Sequence, residues 1–557
     1  MKKIALVFLF LIGLSRTPAA QGRELEVIGK THFISTFNSL RGPGAAVPNL
    51  ANTYDMSIFE FNWGGKQSSF NGSGITTNSN FPLTDGEAFT NNTHIGLSSH
   101  LNSDTKWGVL AEVYTLIGDR TVGRAFGEEL PWDHFARENG AIQTPHFQAD
   151  FYNAFLEGAL DSLKYKLTAG VLSPRDLPEF TRKESNQVKL GSLVWRAPIT
   201  NASFFEKEDR KLEEGRHPVK GFDFLGDYEI AEKKHWKWEV FTGATEPTPL
   251  SDLERDAYGG RTSLDLGRAS AGFTAVYTDG RRAGTGIKEN EGVWAVDASY
   301  KLSETLIPYF TFAQTDYRRS VLGETHRGDA AVAGVLFKNP EGVEWKTQYQ
   351  RLGENYDLLA YHKTEHYPSN FHGLNTQATL PLSEALKIKG VLYYLGQMET
   401  QTNSGDTLFG DSYFPSIADS KKGSIGVERL SADWKWTKEL TFNGYIEHAK
   451  FRKPAPAIAS TIDKDVYNFY QGGALQITKA WGLEGGFRHF FSVGHWQAMN
   501  FRSYQNVPEL ALRYDAGKDT HAYLIYHYYQ FEDNNGASSG GNDYSGHQVI
   551  LEFKTLL

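Results

Sequence analysis

Cysteine is absent from all 557 residues. Disulfide staples, thiolate metal sites and cysteine nucleophiles are excluded together, as is covalent haem, which needs C-x-x-C-H. Beyond the first twenty residues no run of eighteen apolar residues occurs, so no membrane-spanning helix is expected. A basic surplus is also missing. The 57 Lys and Arg are outnumbered by 66 Asp and Glu, which argues against a general nucleic-acid binder. No G-x-S-x-G elbow or glycine-rich phosphate loop lies between a strand and a helix. His362 and His366 form H-x-x-x-H, but lack the glutamate and helix of a zinc site and read as incidental. The acidic, glycine-rich run from Glu532 to Asn542 does not match EF-hand spacing and reads as a solvated loop. No catalytic residue, metal or cofactor is expected.

At the N-terminus, Lys2 and Lys3 precede an apolar run from Ile4 to Leu14, followed by Pro18-Ala19-Ala20. This is the pattern of a secretory signal peptide, residues 1–20, cleaved near Ala20. The run is about eleven residues, and a bilayer span needs roughly twenty. Losing Lys2, Lys3 and Arg16 takes the mature charge from −9 to about −12. Aromatics are abundant, with 27 Tyr, 36 Phe and 12 Trp. A transmembrane β-barrel with aromatic girdles and a large soluble β-protein both fit that composition.

Alternation separates the two. From Val343 to Leu352, Val343, Trp345, Thr347 and Tyr349 share one face, and Glu344, Lys346, Gln348 and Gln350 the other. Leu163 to Val171 repeats the pattern with Lys164, Lys166 and Thr168 on the polar face. Trp294, Val296, Ala298 and Tyr300 alternate with Val293, Ala295, Asp297 and Ser299. Short turns such as Ser303-Glu304, Asn339-Pro340, Ser383-Glu384, Thr437-Lys438, Thr478-Lys479 and Ala516-Gly517-Lys518 alternate with long polar stretches. Those stretches include Gly353 to Asn370, Thr400 to Lys422 and Glu532 to Tyr544. Short periplasmic turns and long outer loops are the layout of a bacterial outer-membrane barrel.

The last thirteen residues, Ser545 to Leu557, read as a strand with Val549, Leu551, Phe553, Thr555 and Leu557 on one face. A bare terminal strand leaves an unpaired edge, whereas a closed barrel pairs its last strand with its first. The expected fold is all-β, a transmembrane antiparallel barrel of about 22 strands, within a range of roughly 18–24. Its expected extent is residues 54–557, after a lead segment at 21–53. In these features the chain resembles the porin-type outer-membrane β-barrels of Gram-negative bacteria over essentially its whole mature length. One departure is the terminal Leu557; such barrels commonly end in an aromatic residue.

Polar faces turned inward place Lys164, Lys166, Glu344, Lys346, Arg488 and Arg513 on the inner wall. Charges of both signs in that number suit a wetted lumen better than a dry core. Two long early loops are candidates to fold inward and narrow the pore. Gly118 to Thr144 carries Asp119, Arg120, Arg124, Glu128, Glu129 and Arg137; Ser173 to Lys189 carries Arg175. The resemblance implies an outer-membrane, porin-like channel for passive diffusion of small hydrophilic solutes or ions. It also admits a homotrimer. The alternative is a barrel sheath around a partner protein such as a periplasmic electron carrier. A TonB-dependent transporter would need a plug of well over a hundred residues before its first strand, and here strands begin early.

Overall fold

A computed structural model describes residues 25–42, 70–71, 74–75, 86–118, 146–172, 219–245, 253–282, 288–319, 324–353, 356, 370–399, 421–457, 461–496, 499–517, 520–533 and 543–556. Residues 1–20, expected above to be a signal peptide, lie outside these. The described residues are strands joined by short turns. Chain order begins with β1 (Glu26–Arg41), then a two-residue ribbon, β2 (Phe70–Asn71) with β3 (Gly74–Ile75). Ten hairpins follow, each closed at the same end by a short turn. They are β4 (Gly86–Asn102) with β5 (Thr105–Gly118), and β6 (His146–Leu160) with β7 (Leu163–Leu172). Next come β8 (Val219–Ala231) with β9 (Lys234–Thr245), and β10 (Leu253–Asp265) with β11 (Ala269–Arg282). Then β12 (Lys288–Tyr300) pairs with β13 (Leu306–Arg319), and β14 (Glu324–Lys338) with β15 (Glu344–Leu352). The series continues with β16 (Phe371–Pro381) and β17 (Leu386–Gln397), then β18 (Ser424–Lys435) and β19 (Leu440–Lys453). The last two hairpins are β20 (Ile462–Gln476) with β21 (Trp481–Trp496), and β22 (Met499–Asp515) with β23 (Thr520–Asp533). β24 (Tyr544–Leu556) ends the chain.

Apart from the β2–β3 ribbon, all strands form one 22-stranded antiparallel sheet whose ends meet. The seam is β1, which pairs with β24 from Lys30 opposite Leu556 to Arg41 opposite Ser545. On its other side β1 pairs with β4, from Glu26 opposite Ser98 to Asn38 opposite Gly86. Every strand therefore has two neighbours, and no edge is left to aggregate. The barrel thus begins at Glu26, inside the stretch 21–53 assigned above to a lead segment. The alternation of β1 is weak because its outward face carries Thr31, Ser35 and Ser39 as well as Phe33 and Phe37. Pairing with β24 and β4, rather than local pattern, makes it a wall strand.

The short turns share a device. In Leu302-Ser303-Glu304-Thr305-Leu306 and Leu382-Ser383-Glu384-Ala385-Leu386, the Ser Oγ accepts from the backbone N–H groups two and three residues on. Thr437 and Thr478 do the same in Trp436–Leu440 and Ile477–Trp481. The hydroxyl satisfies donors that the end of the ladder leaves unpaired. This repeat is visible in the sequence as an apolar residue, Ser or Thr, a charged residue, and an apolar residue two further on.

The outward face is apolar and bare. Ile446, Leu392, Leu430, Val240 and Leu551 are all more than half exposed. Trp236, Trp434, Trp436 and Trp481 gather near the turn end, with rings of Trp434, Trp436 and Phe442 in mutual contact. A closed sheet with an outward apolar belt and an aromatic girdle is a transmembrane β-barrel of the outer membrane, its short turns periplasmic.

Candidate functional site

Inward positions differ sharply between the two halves of the wall. In the periplasmic half they carry charges paired across neighbouring strands and open to solvent. Lys106 meets Glu26 at 3.0 Å, and Lys166 meets Glu157 at 3.4 Å. Asp227 receives His235 at 2.8 Å and Lys237 at 4.0 Å. Lys338 pairs with Glu344, and Lys389 with Asp433 at 3.8 Å. Arg513 joins Glu484 at 2.8 Å and Asp515 at 3.1 Å, and Asp515 also takes His521 at 2.6 Å. Where such pairs are exposed, as at Lys166–Glu157 and Lys389–Asp433, they contribute little stability individually, whereas Arg513 and its partners are mostly shielded. Their consequence is electrostatic, a wall in which each charge faces its opposite rather than a field of one sign.

One pair spans three strands. Arg261 on β10 donates to Asp297 on β12 through Nη1 at 2.5 Å and Nη2 at 2.9 Å, and Nη1 also donates to Thr274 Oγ1 on β11. The bridge crosses β11 at Gly272. A Cβ there would lie 2.5 Å from Arg261 Nη2 and 2.7 Å from Asp297 Oδ1. Glycine leaves room there for the bridge to cross the strand.

From mid-height to the extracellular edge, inward side chains described on β9, β11, β13, β15, β17–β20, β23 and β24 are buried. They include Phe241, Val276, Ala313, Leu352, Leu395, Val427, Phe451, Val466, Ile525 and Ile550. Twenty-two strands about 4.8 Å apart and tilted about 40° close a cylinder roughly 44 Å across at the backbone. Opposite walls of such a cylinder cannot touch, so an inward residue is covered from within the lumen. Tyr356 is one covering side chain. After β15 the chain turns inward, with Tyr356 N–H donating to Gly353 O at 3.2 Å. The ring is fully buried against Val293, Ala295, Ala313, Ala330, Val332 and Leu352. Asn370 N–H also donates to Gly353 O at 3.2 Å, so the two ends of this loop are pinned together.

The covered layer holds polar rows as well. Arg429 stacks over Tyr445 at 3.8 Å and meets Glu447 at 3.8 Å. Tyr445 stacks on Tyr470 at 5.7 Å, over which Arg488 lies at 5.5 Å. Arg488 pairs with Glu509 at 2.9 Å. His527 and Tyr529 converge on Gln548 Oε1 at 3.0 and 3.1 Å. This row on β18–β24 is a set of tyrosines clamped between two Arg–Glu pairs. Low local dielectric strengthens such contacts and makes any broken one costly.

Six of the sequence-selected residues are described, and all six occupy inward positions. Lys166, Glu344 and Arg513 belong to the periplasmic ion pairs, Lys164 is exposed, and Lys346 lies over the Tyr309 ring at 5.5 Å. Arg488 departs from the expectation of a solvated charge: it is 3% exposed and paired with Glu509. Alternation identifies the face of a residue but carries no information on what covers it. Asp119, Arg120, Arg124, Glu128, Glu129, Arg137 and Arg175 lie outside the described residues, as do His362, His366 and most of the Glu532–Asn542 run. Sequence reading missed Tyr356, whose long loop gives no local sign of direction. It also missed the Arg261–Asp297 bridge, whose partners sit 36 residues apart. Among the described residues no three His, Asp or Glu side chains converge as a metal site would require.

No protein-family model matches the chain, and no curated protein matches it. Among solved structures it is similar to the ferric citrate transporter FecA in its unliganded form. That match has a TM-score of 0.49 and 9% identity over 95% of this chain and 78% of that one. The siderophore receptor PirA from Pseudomonas aeruginosa matches with a TM-score of 0.42 and 6% identity, over 96% of this chain and 81% of that one. The anion-selective porin from Comamonas acidovorans matches with a TM-score of 0.30 and 10% identity, over 96% and 100%. Each score is below 0.5, and the architecture rests on the chain's own closed set of strand pairings.

Proposed function

We propose that this barrel is an outer-membrane channel for small hydrophilic solutes or ions, a conduit rather than a catalyst. The observation that carries the reading is the periplasmic half of the inner wall, charged, cross-paired and open to solvent. An unpaired charge in a dry interior is very costly, so a wall carrying so many exposed charges is built to face water. The extracellular half sets the traffic. There Tyr356 and the pinned ends of its loop pack on the inner wall and narrow the path. With both signs represented on the wall, selectivity follows from local pairs and width more than from net charge.

The deciding experiment is conductance of the refolded protein in a planar bilayer under a salt gradient. Discrete steps of constant size are expected, larger when Tyr356 is replaced by alanine. A folded barrel that stays silent in both forms would sink the channel reading. The second reading, a sheath around a partner protein, draws on the apolar residues of the inner wall, such as Phe241, Val276 and Ile525, which suit polypeptide more than water. It would then gain ground if a partner co-purified with the silent barrel.

A further inference from the structure

The outward face carries a charged patch just above the apolar belt on β13–β15. On β13 the outward series is Leu306, Pro308, Phe310, Phe312, Gln314, Asp316 and Arg318. Strands tilted in this way rise about 2.5 Å per residue along the barrel axis, so a belt about 25 Å tall spans some ten residues. Counting from Leu306 on β13 and from Phe337 on β14 brings Asp316 and Arg327 to its upper limit, and these two sit directly opposite each other. Arg318 Nη2 lies 3.3 Å and Arg327 Nη2 3.8 Å from the same Asp316 Oδ2. Arg351 on β15 pairs with Asp329 on β14. Three guanidiniums thus share two carboxylates, and Arg318 and Arg327 are 66% and 70% exposed. The outward charges on β19 and β20 are different, since Arg452 is held by both Asp463 and Asp465.

We propose that Arg318, Arg327 and Arg351 form a docking site for the phosphate group of an outer-leaflet lipid. At this height an outward side chain meets neither the lumen nor the acyl chains, only headgroups. The surplus charge is positive, and the guanidinium fork matches phosphate oxygens two at a time. Asp316 holds two forks side by side and lowers the ordering cost of binding.

The test uses the full barrel in phosphatidylcholine nanodiscs doped with phosphatidic acid, with retained lipid read by native mass spectrometry. The protein should enrich phosphatidic acid about tenfold over its supplied ratio. Arg318→Gln/Arg327→Gln/Arg351→Gln should lose that enrichment, and the corresponding Lys variant should keep only part of it. The inner-wall control Lys166→Gln/Lys237→Gln/Lys389→Gln removes equal charge and should leave enrichment intact. Heat-modifiable gel mobility checks folding, and Arg327→Gln alone serves if the triple variant fails to fold. Unchanged enrichment in the Gln variant overturns the proposal, and so does equal loss in the inner-wall control. Full displacement by inorganic phosphate would assign the patch to a dissolved anion and overturn it too.

Discussion

Replacing Gly272 with alanine isolates the three-strand bridge. The new methyl would sit 2.5 Å from Arg261 Nη2 and 2.7 Å from Asp297 Oδ1. Both are ends of side chains, so they can move aside while the backbone stays put, and the barrel should still form. What is lost is the two-pronged contact. Arg261 and Asp297 are mostly shielded, and hydrogen bonds to charged groups contribute about 1.5–3 kcal/mol. Part returns through water, so a loss of about 1–2 kcal/mol is expected. The assay is guanidinium unfolding in phospholipid vesicles, followed by tryptophan emission, as a double-mutant cycle with Asp297→Asn. With Asp297 already neutralised, Gly272→Ala should cost almost nothing further. Equal losses in both backgrounds would mean the methyl strains the backbone, and the bridge would not be what glycine protects.

Arg488→Met should destabilise by about 3–5 kcal/mol because it leaves Glu509 buried and unpaired; adding Glu509→Gln should recover much of the loss, and no recovery would contradict the pairing. Lys166→Gln, at an exposed pair, should cost less than about 1 kcal/mol in the same unfolding assay. Ile446→Arg puts a charge on the lipid face and should cost about 2–4 kcal/mol; an equal cost for Lys389→Gln would reverse the assignment of faces. Tyr356→Ala empties a buried ring position, which typically costs about 3–5 kcal/mol where structure cannot collapse. It should uncover the inner wall at β12–β15 and raise single-channel conductance, and unchanged recordings would place Tyr356 off the path.

Period-two alternation and the turns that interrupt it are local, so the sequence alone determined the strand class, the in-and-out assignment of Lys164, Glu344 or Trp294, and the side on which the short turns lie, and bounded the strand number only to a range. Tertiary structure decided everything that depends on which strands become neighbours. β1 looks like a lead segment until β24 and β4 flank it, since its weak outward face satisfies no local rule. Arg261 and Asp297 meet only because antiparallel register aligns them over Gly272. Arg488 reads as a wetted charge until antiparallel pairing brings Glu509 and the Tyr470 ring against it. Arg318 and Arg327 lie on separate strands, and the β13–β14 register sets both beside Asp316, outward, at the height of lipid headgroups. Alternation encodes direction relative to a sheet; pairing, closure and covering are set by contacts between residues far apart in the chain.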